Sequence, residues 1–383
     1  MIKYEISRLK KEEGCLTLND LKRLYIQYKS GEDIEIHEGL TFDKEDVLTF
    51  ITSLNELTSD SKIKTNNTKF IKLLNSFIRS QVNKRVLVID NHNFFHRTFH
   101  SVPAMVDNKG RQVSVLKSLS NLLKWLINTQ DRYTHIIFSS EGGNLKRKEQ
   151  TISDEKSYKG NRKETDPSLR QQIKLCESFL EDVGFSVIRR AGYEADDVLA
   201  SIVYTYSLKG VPVTAFTTDK DAYQLFIYDG FEILDPKTKQ LFLKEKVVEK
   251  FGVEAEDFIQ YQAIVGDTAD NIPGIKGFGA VAAKELIEKY KTLEGIYENI
   301  SKIGLEEFNE GQKIPTAKLR TAENKQRKLL DSKDMAFKSR DLCTLETNLF
   351  ENYPFDIVYF SPMPFVNFEK IVKSRLSEFD INY

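Results

Sequence analysis

Cysteine is scarce: Cys15, Cys176 and Cys343 are scattered through 383 residues with no ligand-like spacing. This excludes a disulfide framework and a cysteine-based zinc set, and suits a reducing compartment. Histidine is nearly as sparse, five in all, and offers no zinc set either. An excess of one charge is also missing, since 56 Lys and Arg face 57 Asp and Glu. The total therefore does not announce nucleic acid, although a carboxylate-rich metal site would cancel a basic face, and only local pattern separates the two. There is no signal peptide and no apolar run of bilayer length, which predicts a cytoplasmic protein without membrane contact. A GxxxxGK[ST] loop is absent, which argues against phosphoryl transfer from a nucleotide. What is there, 40% hydrophobic and 30% charged residues, describes a globular chain of two domains or one large domain with an appendage.

Residues 1–80 read as a small appendage with helix patterns at 16–28, 43–57 and 70–78. No catalytic motif appears there, and an interaction or packing role is the default. From residue 85 the style changes. Val86-Leu87-Val88-Ile89 is a continuous apolar run ending in Asp90. His135-Ile136-Ile137-Phe138 ends in Ser139-Ser140-Glu141, and the run 211–216 ends in Thr217-Thr218-Asp219-Lys220-Asp221. Continuous apolar strands separated by helix-length segments predict a parallel α/β sheet covered on both faces. Ligands of such sheets gather at the carboxyl ends of the strands.

A fourth run, Phe185, Val187 and Ile188, is followed by Tyr193-Glu194-Ala195-Asp196-Asp197. After it Val198, Leu199, Ile202, Val203 and Tyr206 recur at helical spacing. Helix capping explains each acid singly, because carboxylates accept from free N–H groups and suit the positive end of the dipole. Capping alone, however, would scatter acids over both sheet edges. Carboxylates gathered at one edge raise one another's pKa unless cations neutralise them. Hard oxygen donors without His or Cys select Mg²⁺, or Mn²⁺ in its place. Two such ions about 3.5–4 Å apart clamp the attacking and leaving oxygens of a phosphodiester displacement. A glycosidase-type acid/base pair needs only two carboxylates.

Asp267 and Asp270, in Gly266-Asp267-Thr268-Ala269-Asp270-Asn271, share a direction if that turn is helical. Next come Gly274, Lys276, Gly277 and Gly279, then a helix pattern over 280–290. This is either an ordinary turn between helices or a hairpin whose N–H groups approach a phosphate, which suits reading nucleic-acid shape and not sequence. Residues 146–170 hold eight Lys or Arg against five acids. They include Tyr158-Lys159-Gly160-Asn161-Arg162, where an aromatic beside cations suits a base and its phosphates, although such a run is commonly a solvated face.

Asp90, Glu194-Ala195-Asp196-Asp197, Asp219-Lys220-Asp221 and the 266–274 run together resemble the ordered motifs of the 5′-nuclease (flap endonuclease) family. That family includes the 5′→3′ exonuclease domain of bacterial DNA polymerase I and stand-alone phage exonucleases. The resemblance runs from about residue 85 to the low 300s, with 336–345 similar to the family's closing segment. It implies a mainly parallel, PIN-like α/β core over 84–250 with a helical arch at about 142–175. A helix–hairpin–helix region at 251–330 and a C-terminal segment, 331–383, packing back on the core complete the picture. It further implies that Asp90, Glu194, Asp196 and Asp197 serve one Mg²⁺ and Asp219, Asp221, Asp267 and Asp270 the other. Lys159, Arg162 and Arg97 become catalytic cations. Tyr158, Lys159, Arg162, Gly274, Lys276, Gly277 and Gly279 become DNA contacts, with K⁺ at the 274–279 hairpin.

The implied partners are DNA with 5′ flaps, nicks or 5′ ends and RNA–DNA primers, during replication or repair in a bacterial or phage-infected cell, with replication proteins meeting residues 1–80. The family's Asp-x-Gly reads Glu141-Gly142-Gly143 here, making Glu141 a ligand with one more methylene. With Ser139 in that register instead, the ligand is missing, and a flap- or branch-binding protein with weak catalysis is the rival. A ribonuclease on a related acidic rim is a further rival, against which the hairpin speaks.

Overall fold

The structure, a computed structural model, describes residues 34–37, 40–42, 85–128, 133, 135–149, 151–153, 156–309, 312–351 and 368–381. The helices expected within 1–80 lie outside the described residues. What is described of that stretch is an antiparallel pair, β1 (Ile34–His37) and β2 (Leu40–Phe42), which the helical reading did not contain. From residue 85 the chain runs β3 (Val86–Asp90), α1 (Asn91–Ser101), α2 (Ser114–Asn128) and β4 (His135–Glu141). A small hairpin, β5 (Thr151–Ser153) and β6 (Lys156–Ser157), precedes α3 (Pro167–Asp182), β7 (Ser186–Arg190) and α4 (Ala195–Ser207). Then come β8 (Val213–Phe216), β9 (Phe231–Leu234) and β10 (Leu241–Phe242). The rest is helical: α5 (Glu245–Phe251), α6 (Phe258–Val265), α7 (Ala280–Tyr290), α8 (Leu293–Glu298), α9 (Thr316–Asp331), α10 (Lys333–Cys343) and α11 (Phe368–Ser377).

The six-stranded sheet has the order β10-β9-β8-β3-β4-β7 and is parallel except for β10. Its central strand β3 is buried throughout, and its side chains alternate between two cores. Val86 and Val88 meet Val198, Leu199, Ile202 and Val203 of α4 on one face. Leu87 and Ile89 meet Leu116, Leu119 and Leu123 of α2 on the other. Each fully buried Val or Leu contributes about 1.5–3 kcal/mol, so both faces hold β3 firmly and fix where its last residue, Asp90, emerges. The strand register sets Asp90 beside Ser139 and Glu141 beside Arg190, bringing three strand ends to one edge.

The stretch expected to arch, about 142–175, is helical only from Pro167 onward. Before that it holds a 3-10 turn (Lys146–Glu149) and the β5–β6 hairpin. Asp166 stops the loop by accepting from Ser168 N–H, with Pro167 at the first helical position, where a missing N–H costs nothing. Among the described residues no helix is long and apolar enough to cross a membrane.

Candidate active site

The edge that collects the strand ends holds an open cavity of ≈ 230 Å³. It is lined by Asp90, His92, Asn93, His96, Arg97, Glu141, Lys159, Arg162, Glu194, Asp196 and Asp219. Capping and clustering prove compatible. Asp90 is the N-cap of α1 and accepts from Asn93 N–H at 3.0 Å, while its second oxygen accepts from Thr217 Oγ1 at 3.1 Å. Asp197 accepts from Glu194 N–H at 3.2 Å at the start of α4, and its other oxygen accepts from Glu346 N–H at 2.9 Å. Carboxylate oxygens of Glu194, Asp196 and Asp197 lie within 4.8 Å of one another.

The second group forms differently. Asp221 follows Asp219, which caps the 3-10 helix Lys220–Ile227 by accepting from Asp221 N–H at 3.0 Å. Asp267 and Asp270 sit in a turn that is not helical. It is closed by reciprocal hydrogen bonds between Asp267 and Ile272, 2.8 and 2.7 Å long. The turn still aims both side chains at Asp221, and oxygens of these three also lie within 4.8 Å of one another. Gln262 Nε2 donates to Asp221 at 2.6 Å and holds it in place.

Crowding and burial raise the cost of ionising these groups. Burial pushes Asp90 up to about 6. Burial, then Asp219, pushes Asp221 up to about 7. Asp196 is held well above the usual range by burial, then by Glu194 and Asp197. Asp197 and Asp219 are also raised, burial first. Glu194 goes the other way: burial pushes it up, but Lys159, Arg147 and Tyr158 outweigh that and bring it below the usual value.

Cations meet both groups. Lys159 Nζ donates to Glu194 at 2.5 Å and lies 3.6 Å from Asp270, so it spans the two. Arg162 pairs with Asp270, and Lys220 lies 3.1 Å from Asp267. The 157–162 loop is tied down by Lys159 N–H to Asp270 C=O at 2.9 Å and by Asn161 Nδ2 to Thr268 C=O at 2.9 Å. Tyr158, expected against a base, is instead 3% exposed, and its hydroxyl reaches Glu194 at 2.9 Å and Asp270 at 3.3 Å. Between two carboxylates the phenol is a linker and presents no face to a ligand.

Arg97 reaches the cavity wall, with Nη1 buried; burial lowers its pKa and Asp235 opposes that. Arg147, read in the sequence only as part of a basic run, donates to Asp197 at 2.5 Å and to Thr344 C=O at 2.6 Å. Nothing in the local pattern separates it from its neighbours Lys146 and Lys148. Residues 343–349, within and just beyond the segment expected to close on the core, form a strap over the site, though its individual contacts were not foreseen. Gln224 accepts from Leu345 N–H at 2.9 Å and donates to Cys343 C=O at 3.1 Å.

The glycine hairpin divides by role. Gly274, at φ +62°, is buried, and a Cβ there would stand 2.5 Å from Gly266 N and from Ile264 O. It packs backbone on backbone. Lys276, Gly277 and Gly279 are exposed, with Gly279 as the N-cap of α7. Ile275 and Phe278 anchor the hairpin in the core. Glu141 reaches the cavity, whereas Ser139, beside Asp90 in the sheet, is buried and donates to Ile89 C=O at 3.3 Å.

The donor set is oxygen only, its carboxylates are crowded, and Lys159 lies between its two groups. These features fit hard divalent cations.

Two family models match consecutive stretches of the chain: "5'-3' exonuclease, N-terminal resolvase-like domain" over residues 85–252 and "5'-3' exonuclease, C-terminal SAM fold" over 253–362. The chain is 31% identical to a 5'-3' exonuclease of Aquifex aeolicus over 220 residues, 57% of this chain and 74% of that protein. With the 5'-3' exonuclease of Buchnera aphidicola it shares 30% over 270 residues, 70% and 88% of the two chains. It is also 30% identical over 271 residues to DNA polymerase I of Caldicellulosiruptor bescii, 69% of this chain but 29% of that protein's length. The fold is similar to that of the T5 D15 protein co-crystallised with metal ions, with TM-score 0.51, 19% identity, and coverage of 77% and 99%. Fold and site together define a nuclease core with carboxylates gathered on the rim of a parallel sheet. The chain belongs to the 5′-3′ exonuclease family.

Proposed function

We propose that this chain is a Mg²⁺-dependent, structure-specific 5′→3′ exonuclease and 5′-flap endonuclease. Its substrates are DNA with 5′ flaps, nicks or 5′ ends and RNA–DNA primers, in replication or repair within a bacterial or phage-infected cell. The observation that carries this is the convergence of carboxylates from far-apart segments into two groups of three bridged by Lys159. Asp90, Glu141, Glu194, Asp196 and Asp197 would hold one divalent ion, and Asp219, Asp221, Asp267 and Asp270 the other. When bound, such ions supply the Lewis acidity that activates water and offsets phosphate charge. Mn²⁺ substitutes for Mg²⁺.

The chain's own part is positioning. Lys159 and Arg162, tied to the 268–271 turn by their own backbone and side chains, present cations at the cavity and stabilise charge that develops on the scissile phosphate. Arg97 adds a third cation at the wall. Tyr158 keeps Glu194 and Asp270 at a fixed separation. The exposed N–H groups and Lys276 of the hairpin grip a duplex backbone without reading its sequence, with K⁺ at 274–279. Residues 1–80 would meet replication proteins.

The decisive experiment is cleavage of an end-labelled 5′ flap with mapped products, in Mg²⁺ and in EDTA. Asp197→Ala should bind the flap as well as the parent and cut it on the order of 10³-fold more slowly, since metal-site removal deletes the main electrostatic term. Equal cutting would overturn the metal reading. Tight binding by the parent without turnover in Mg²⁺ or Mn²⁺ would make it a branch-binding protein.

A further inference from the structure

We infer that His92 is a positioning residue for the Glu141 carboxylate and that the two act as one unit in metal binding. The inference rests on the two-metal reading above and deepens it.

The register of β3 on β4 sets Asp90 beside Ser139, and the same step continues past the sheet as side-chain contacts. Asn91 Nδ2 donates to Ser140 Oγ at 2.6 Å, buried at the junction of α1 and β4. His92 Nδ1 then stands 3.1 Å from Glu141 Oε2. Three consecutive residues at the start of α1 thus meet three consecutive residues at the end of β4. The backbone under Glu141 is fixed from the other side. It pairs with Arg190 of β7, and the next N–H, that of Gly142, donates to Tyr193 C=O at 3.0 Å. A Cβ at Gly142 would stand 1.8 Å from Arg190 O, so the chain cannot shift there.

The Glu141 side chain itself is 27% exposed and has one more rotatable bond than the aspartates around it. Freezing a long carboxylate costs rotamer entropy each time it binds an ion. The imidazole reduces that cost by holding one oxygen in advance. Its own ring is held against His96, centroid to centroid 4.2 Å. Burial, then the neighbouring His92 and His100, lowers His96 to about 4, so it packs as a neutral ring. Donors that orient a ligating carboxylate tune metal affinity without touching the metal.

The test is Mn²⁺ binding to the protein alone, followed by electron paramagnetic resonance, with flap cleavage measured in parallel. His92→Phe keeps the ring and loses the donor. We expect about tenfold weaker Mn²⁺ binding and a lower kcat at unchanged KM for the flap. His92→Asn places an amide donor where Nδ1 stood and should restore both. In a Glu141→Gln background, His92→Phe should add nothing. Equal Mn²⁺ binding by His92→Phe and parent, failure of His92→Asn to restore, or full additivity with Glu141→Gln would each overturn the pairing. A parent that binds no Mn²⁺ would instead overturn the two-metal reading on which it stands. Position 92 is about a third exposed, and unchanged thermal melting of His92→Phe would confirm that the fold is intact.

Discussion

The two carboxylate groups reach the same place by opposite routes. Glu194, Asp196 and Asp197 ride on the first turn of a buried helix, beside Asp90 at the end of a strand packed on both faces. Asp267 and Asp270 ride on a short turn whose one apolar anchor is Ile272, in a small cluster with Tyr158, Leu342 and Cys343, and which is held by a two-residue bridge, by the Gly266–Gly274 backbone contact and by the 157–162 loop. Placement in the first group comes from sheet and helix geometry; in the second it comes from a few close backbone contacts and one small side-chain cluster. A rigid element places a carboxylate through many small packing terms, whereas a loop must do it through a few that cannot be spared.

The sharpest way to break this contrast is at Gly274. An Ala there would clash at 2.5 Å with Gly266 N and occupy φ +62°. The expected cost is about 3 kcal/mol or more, with loss of flap binding. Gly277→Ala, where a Cβ meets only the Lys328 side chain at 3.6 Å, should cost about 1 kcal/mol. Denaturant titration of the pair measures the difference, and equal costs would show that the turn relaxes freely.

A second comparison removes one cation from each group. Arg147 is 11% exposed and faces Asp197, so Arg147→Met strands a buried charge and should destabilise by about 3–5 kcal/mol. Lys220 is 39% exposed and faces Asp267, and Lys220→Met should cost below about 1 kcal/mol. Melting curves of the metal-free proteins settle the order.

A further expected effect is on pH dependence. Asp90 and Asp221 are raised in the fold, to about 6 and about 7, so their ionisation opposes folding. That opposition is complete above pH 7 and is relieved as pH falls through about 7 and then about 6, toward the unfolded carboxyl range. Metal-free protein should therefore melt about 5 °C higher at pH 5.5 than at pH 8. Saturating Mg²⁺ should flatten the slope. Asp221→Asn should remove the upper part of it and Asp90→Asn the lower, which separates the groups by titration.

The same division governs what the sequence disclosed. Strands with unbroken apolar runs and helices with clean periodicity were legible because burial on fixed faces writes itself into residue type. The helix at Ala280–Tyr290 falls where its pattern lies. The strand-end acids followed from topology. The shape of the turn at 267–272, left open between helical and not, is set by two backbone hydrogen bonds that leave no side-chain signature. Tyr158 was set against a base because tyrosine beside lysine suits a nucleic-acid face and a buried carboxylate link equally well. The role of Arg147 and the particular contacts of the 343–349 strap stayed hidden because their partners are some 50 and 120–150 residues away, and no periodicity spans such distances.

That strap also fixes when the site can exist. Asp197 draws one of its hydrogen bonds from the backbone of a residue 149 positions later. While the chain is being made, every acid of the first group has left the ribosome long before Glu346 has. Until residue 346 has emerged the first group lacks that hydrogen bond, so its finished geometry waits on the strap.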